Sequence, residues 1–237
     1  MSRSQSLTCP FPFCIVLSAG LAALLISWPA QAATSVSRTI DRVQPQVVKV
    51  YGAGGIRGLE PYQTGVLVSE AGHIVTSWGA ILDTEYLSVT LNDGRRFDAT
   101  VMDLDPRLEI AVLKIDATGL PHFELDTSIE PTVGQAVLAF GNLYGVATGN
   151  EPVTALHGYL SAITNLSGRR GTFKTPYQGR IYVLDAMTNN PGAAGGALTD
   201  CQGRLIGLLG KELRNADNNV WLNFAIPVAE WKTAVED

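Results

Sequence analysis

Along the whole chain after residue 33, short runs rich in β-branched residues alternate with turn residues, a rhythm that fits an all-β sandwich or barrel rather than alternating helices and strands. In the first half the runs centre on Val47 to Tyr51, Thr64 to Val68, Ile74 to Thr76, Leu87 to Leu91, Ala99 to Met102 and Ile110 to Lys114. In the second half they centre on Ala136 to Phe140, Val153 to Ile163, Ile181 to Asp185, Ala197 to Thr199, Leu205 to Leu209 and Trp221 to Ala225. Asn92-Asp93-Gly94 and Cys201-Gln202-Gly203 both lie between apolar runs, where a glycine able to take positive φ closes a hairpin. A helix is expected from about Val36 to Val43, stopped near Pro45. A second is expected at the end of the chain, with Val228, Trp231 and Val235 on one face at helical spacing. Both are expected to serve packing.

The chain has 237 residues, and residues 1–32 read as an export leader: Arg3 supplies positive charge, Phe11 to Ser27 is apolar, and Ala30-Gln31-Ala32 matches a small-x-small cleavage pattern. Export to the periplasm or the medium is expected, with cleavage after Ala32. The apolar run is long for a leader, so residues 11–28, left uncleaved, would instead anchor the chain in a membrane. Without Arg3 there are 16 basic and 22 acidic residues, a net charge of −6, which disfavours a nucleic-acid partner. Cys9 and Cys14 leave with the leader, so Cys201 stays alone in its turn and no internal disulfide can form.

Several segments, in order, resemble one family. Thr64-Gly65-Val66-Leu67-Val68 is similar to its Gly-Ser-Gly-Val-Ile strand, and Gly72-His73-Ile74-Val75-Thr76 to the strand that leads into its catalytic histidine. Leu91-Asn92-Asp93-Gly94-Arg95, Asp105-Pro106-Arg107, Phe140-Gly141-Asn142-Leu143-Tyr144-Gly145, Gly195-Gly196-Ala197-Leu198 and Asn223-Phe224-Ala225-Ile226-Pro227 follow at matching spacing. Together they resemble the HtrA/DegP branch of the trypsin- and chymotrypsin-like serine proteases from about Val47 to Pro227. The resemblance implies a double β-barrel of two six-stranded Greek-key barrels and a short carboxyl-terminal helix. The first barrel would fall in residues 33–130 and the second, with the helix, in 131–237. Members of that branch usually append a PDZ module after the Ala-Ile-Pro segment, whereas this sequence stops shortly past Pro227, so functions that depend on the module are not expected.

The resemblance also places the catalytic triad, and there the sequence departs from it. Val75-Thr76-Ser77-Trp78-Gly79 puts Gly79 where the family has its histidine. Asp105-Pro106-Arg107-Leu108-Glu109 puts Glu109 at the aspartate, and Gly192-Ala193-Ala194-Gly195-Gly196 puts Ala194 at the serine. Covalent attack needs a hydroxyl, an imidazole to take its proton and a carboxylate to hold that imidazole; only the carboxylate has a stand-in. The backbone amides of Gly192 and Ala194 would correspond to the oxyanion hole. The expectation is a pseudoprotease, set against the alternatives of an active serine endopeptidase and of a structural subunit of a protease paralogue complex.

No other residue offers a replacement. His73 lies six residues before Gly79, roughly 20 Å away along an extended strand, and is read as a turn residue. His122 reads as a solvated loop residue and His157 as a surface or structural strand residue. Thr76 and Ser77 flank the old histidine position without an evident base. No pair of histidines or cysteines has metal-ligand spacing, no lysine follows the Gly192 to Gly196 run as a phosphate loop requires, and no cofactor is expected.

Peptide binding by strand addition does not need a triad, and the resemblance places the receiving edge near Leu208, Leu209 and Gly210. A peptide or protein ligand is therefore the expected partner. The run from Asn165 to Arg180, with four basic residues and no acidic one, and the mixed-charge run from Lys211 to Asn219 read as solvated surface loops.

Overall fold

Val47, Val48, Lys49 and Val50 are all fully buried on one strand, β1 (Val47–Tyr51), which requires cover on both faces. Val48 and Val50 point into the first barrel and Val47 out of it, against the second, as the two-residue period of a strand demands. The computed structural model describes residues 36–52, 62–84, 86–167, 169–170, 173–174, 177–211, 213–214 and 221–236; the expected leader lies outside them.

The first barrel is closed by β1, β2 (Tyr62–Leu67), β3 (His73–Ser77), β4 (Ser88–Thr90), β5 (Arg96–Asp105) and β6 (Ile110–Ile115), in the spatial order β1-β2-β3-β6-β5-β4 with every pair antiparallel. The second uses β7 (Ala136–Gly141), β8 (Thr154–Leu166), β11 (Gly179–Leu184), β12 (Ala197–Asp200), β13 (Leu205–Leu209) and β16 (Phe224–Pro227), in the order β11-β16-β13-β12-β7-β8. Two ribbons project from it, β9 (Arg169–Arg170) with β10 (Phe173–Lys174), and β14 (Leu213–Arg214) with β15 (Trp221–Leu222). The all-β double barrel with a short terminal helix, α2 (Val228–Glu236), is the expected fold.

The core has three parts. Leu67, Ile74, Leu113 and Ile115 fill the first barrel, and Val137, Leu160, Ile206 and Leu209 the second. A third cluster draws from both, joining Val66, Val75 and Ile110 of the first barrel to Phe140, Leu208, Phe224 and Trp231. Trp231 on α2 is fully buried and donates its indole N–H to Ile226 O at 3.3 Å. The first helix, α1 (Val36–Val43), buries Thr39 and Val43 and is tied to the 200–203 turn by the Thr39 hydroxyl, which donates to Cys201 O at 3.0 Å. In that turn Gly203 has φ +80, and in the Asn92-Asp93-Gly94 turn Gly94 has φ +87, so both hairpins close as the sequence predicts.

Three expectations change in detail. Trp221 to Ala225 is not one strand: it breaks at Asn223, whose side-chain oxygen accepts from Thr188 N and Asn189 N and so is held by a neighbouring loop. Asn165 to Arg180 is not simply loop, because β8 runs to Leu166 and β11 starts at Gly179, with the first ribbon between them. Arg180 is ion-paired with Glu130 at 2.8 Å. The run from Lys211 is not wholly a solvated hairpin either, since Lys211 itself packs into the molecule, as described next.

Candidate functional site

The loop from Asn190 to Gly196 belongs to the second barrel but is bolted to β2 of the first. Thr64 makes four hydrogen bonds there. Its amide donates to Ala194 O at 3.1 Å, its hydroxyl donates to Gly192 O at 2.5 Å and accepts from Asn142 N at 2.7 Å, and its carbonyl accepts from the Thr76 hydroxyl at 2.6 Å. On the other side Gly195 N donates to Leu209 O at 2.9 Å and Leu209 N to Gly196 O at 2.8 Å.

The glycines of this loop are explained by how closely the backbones approach. A Cβ on Gly195, at φ +80, would lie 2.3 Å from Thr64 O and 2.7 Å from Ser77 N, and one on Gly196 would lie 2.1 Å from Phe140 O. These contacts place Ala194 beside the end of β3, where Gly79 follows two residues after Ser77. Gly79 itself is not crowded: the nearest atoms to a Cβ there are Lys211 Cε at 3.9 Å and Gln63 Oε1 at 4.0 Å.

Glu109, expected from the resemblance to stand at the family's aspartate, is buried at 6% exposure with φ +56, a left-handed conformation that costs a β-carbon-bearing residue about 1–2 kcal/mol. Its carbonyl accepts from Trp78 N at 2.8 Å and from the Ser77 hydroxyl at 3.3 Å, which fixes the end of β3 against the start of β6. Its carboxylate is met by the ammonium of Lys211 at 3.1 Å, and that ammonium also lies 5.0 Å from the centroid of the Trp78 ring, over its face. So the space beside Gly79, next to the carboxylate, is taken by a lysine that follows β13.

Sequence reasoning missed Lys211. No local pattern marks it: it comes one residue after the buried Leu205 to Gly210 segment, and its carboxylate partner lies 102 residues away in the sequence.

The amides of Gly192 and Ala194 donate to no acceptor among the described residues, whereas their neighbours Ala193, Gly195 and Gly196 donate to Asn190 O, Leu209 O and Ala193 O. The hydroxyls near Gly79 are committed elsewhere. Thr76 donates to Thr64 O and accepts from Gln63 Nε2, and Ser77 donates to Glu109 O. His73 faces Ser69 Oγ at 2.7 Å in the β2–β3 turn, His122 faces Leu120 O at 3.1 Å, and His157 stacks edge-on against Tyr159, so the three do not converge here.

The expected peptide-receiving edge needs correction. β13 is paired on both sides, Leu208 opposite Ala197 and Ile226, and Leu209 opposite Ala225 with its amide and carbonyl on Gly196 and Gly195. Gly210 N is taken by Phe224 O. Leu208 and Leu209 thus have no backbone groups to offer, and an incoming strand would have to meet the chain beyond them, at Gly210 O and Lys211.

Comparison with known proteins agrees with this architecture. Residues 63–208 match the trypsin-like peptidase domain. The chain is 34% identical over 164 residues to a probable periplasmic serine endoprotease DegP-like of Chlamydia pneumoniae, covering 69% of this chain and 31% of that protein. It is 34% identical over 181 residues to the serine endoprotease DegS of Escherichia coli K12, covering 73% and 48%. Among solved structures, a serine endoprotease from Yersinia pestis superposes with a TM-score of 0.67 at 31% identity, over 86% of this chain and 66% of that one. The chain thus spans 31% and 48% of the length of these two curated relatives. It is similar to the DegP-like and DegS serine endoproteases, and it belongs to the trypsin-like peptidase domain family.

Proposed function

We propose that this protein is an exported, catalytically inactive member of its family that acts by binding peptides or partner proteins. The observation that carries the reading is the occupancy of the triad positions: Gly79, Glu109 and Ala194, with the Lys211 ammonium on the Glu109 carboxylate. A methyl group cannot attack a carbonyl, and an ammonium anchored on a carboxylate is not a base. Triad members act as a unit, so losing one already removes most of the rate. A surviving pair of amide donors gives at best ~10³ to 10⁴ over water. Thr76 and Ser77 do not rescue the chemistry, because both hydroxyls already donate to backbone carbonyls.

Export to the periplasm is supported by the leader-like residues 1–32 and by the name of the DegP-like relative, a periplasmic protein. Binding in place of cleavage is supported by the intact floor of the cleft: the 190–196 loop keeps its glycines and its bolts to Thr64.

The test is to incubate the purified protein with casein and, in parallel, to titrate it into fluorescent unfolded peptides. The reading predicts saturable peptide binding without cleavage. Proteolysis that disappears on mutation of one serine would overturn it, and a failure of every peptide to bind, with a protease co-purifying from the native host, would point to a structural subunit.

A further inference from the structure

Lys211 reaches from the second barrel into a receptor built wholly by the first. It follows β13, whereas the groups around its ammonium and stem belong to the first barrel: Glu109 before β6, Trp78 and Gly79 after β3, and Gln63 on β2. Those four are held independently of the lysine. The Gln63 amide nitrogen donates to Thr76 Oγ1 at 2.8 Å and to Ser77 O at 2.9 Å, and Glu109 O accepts from Trp78 N and the Ser77 hydroxyl. A receptor fixed in this way needs little further ordering when it binds a ligand.

The lysine satisfies the receptor only in part. It pairs with one carboxylate oxygen, Glu109 Oε1, at 3.1 Å, longer than the about 2.7–2.9 Å of a good charge-assisted hydrogen bond. Glu109 Oε2 and Gln63 Oε1 accept from no donor among the described residues, although both residues are only 6% exposed. Gln63 Oε1 lies 4.0 Å, and Lys211 Cε 3.9 Å, from where a Cβ at residue 79 would stand, so the glycine leaves room between the lysine stem and the spare acceptor. The face of the Trp78 ring closes one side.

Two spare acceptor oxygens, a carboxylate charge and an aromatic face together specify a flat cation with several donors. A guanidinium has these properties: five N–H groups in one plane, a fork that meets both oxygens of a carboxylate, and a face that stacks on an aromatic ring. A chain with 17 basic and 22 acidic residues also attracts a basic ligand rather than an acidic one. A peptide strand received at Gly210 O and Lys211 runs beside the segment from which the lysine starts, so a ligand side chain can take the same path toward Glu109.

We infer that Glu109, Trp78 and Gln63 form a socket for an arginine side chain of the bound peptide, and that Lys211 is the placeholder that fills it when no ligand is bound; this rests on the peptide-binding reading above. The placeholder neutralises a carboxylate that would otherwise be buried unpaired. Because it is tethered, it competes at an effective concentration on the order of mM, and a ligand has to displace it.

Three fluorescent peptides of one apolar sequence, alike except for a central arginine, lysine or citrulline, are titrated with the parent protein and with Lys211→Met. Citrulline keeps the shape of arginine without its charge. With the placeholder gone, the variant should bind the arginine peptide about tenfold or more tighter than the parent does, and about tenfold or more tighter than it binds the citrulline peptide, with lysine between the two. Equal binding of arginine and citrulline by the folded variant overturns the socket and leaves peptide binding standing.

No binding of any peptide to either protein overturns the peptide-binding reading, and n-butylguanidinium then tests the socket by itself. It should raise the thermal melt of Lys211→Met and leave that of Lys211→Met with Glu109→Gln unchanged; equal shifts in the two, or none, overturn the socket. Should Lys211→Met fail to fold alone, the parent is compared with the double variant. A preference for arginine over citrulline that the parent shows and the double variant loses supports the socket; one that both show, or neither, contradicts it.

Discussion

Lys211 lies beside Gly79, where the resemblance to the family puts an imidazole. Because a Cβ at residue 79 meets nothing closer than 3.9 Å, Gly79→Ala should change stability by no more than about 0.5–1 kcal/mol, in either direction. Gly195→Ala, one residue past Ala194, should behave in the opposite way. With φ +80 and a carbonyl oxygen 2.3 Å from the new methyl, it should cost more than about 3 kcal/mol or abolish folding. Urea denaturation of the two variants separates a vacated position from a packed one. The same geometry bears on attempts to rebuild the triad. In Gly79→His with Glu109→Asp and Ala194→Ser, the restored carboxylate still faces the Lys211 ammonium, and the new imidazole must compete for it. The triple variant should stay near background, and adding Lys211→Ala should raise any casein cleavage by about tenfold or more, a factor within reach of one positioned acid–base group. Equal rates with and without Lys211 would show that the lysine is not the obstacle.

At the level of elements, what holds the cleft is the joint between β2 and the 190–196 loop. Thr64→Val keeps the shape of the side chain but strands Asn142 N and Gly192 O, so it should lower stability by about 1–3 kcal/mol and loosen the loop that carries Gly192 and Ala194. Hydrogen exchange at those amides, compared with the parent protein, reads that loosening directly. The strands were legible in the sequence because each carries its own signal. The Ile74 to Thr76 run alternates between the interior of the first barrel and the face shared with the second, and Gly94 and Gly203 mark turns that only a residue tolerant of positive φ closes easily. The triad-equivalent positions Gly79, Glu109 and Ala194 are expectations carried by the family's motifs. Lys211 was not legible, because its partner Glu109 lies 102 residues away and no local pattern encodes such a contact. The edge at Leu208 and Leu209 was misplaced for a related reason. A five-residue apolar run shows that a strand is buried, but not that neighbours pair with both of its sides.

Across the whole molecule, β1 ties the two barrels together with polar groups that have little water around them. Lys49 is fully buried and donates to Gly149 O at 2.6 Å and Glu151 O at 2.9 Å, while Tyr51 donates to Ala147 O at 2.5 Å. Burial lowers the Lys49 pKa from 10.5 and raises those of Tyr51, Tyr177 and Tyr182 above 10.0. The two shifts act in opposite directions on alkaline stability. The lowered lysine gives up its proton in the folded state first, so stability rises with pH from its folded pKa up to 10.5. The raised phenols keep their protons in the folded state longer, so the stability they contribute is intact below pH 10.0 and is lost above it. Three phenols against one ammonium predict a net fall above pH 10, with the tyrosinate absorbance of Tyr51, Tyr177 and Tyr182 rising together with loss of the fold. Gradual ionisation of all the tyrosines with the fold intact would contradict the burial assigned to Tyr177 and Tyr182.

The central claim is that the cleft has kept its walls and lost its chemistry, and the most direct measurement of it is the intact mass of the protein after prolonged exposure to a serine-directed fluorophosphonate. The account predicts an unchanged mass for the folded chain and a single adduct in the variant that carries Gly79→His, Glu109→Asp, Ala194→Ser and Lys211→Ala. A stoichiometric adduct on the unaltered protein, mapped to one serine, would contradict it.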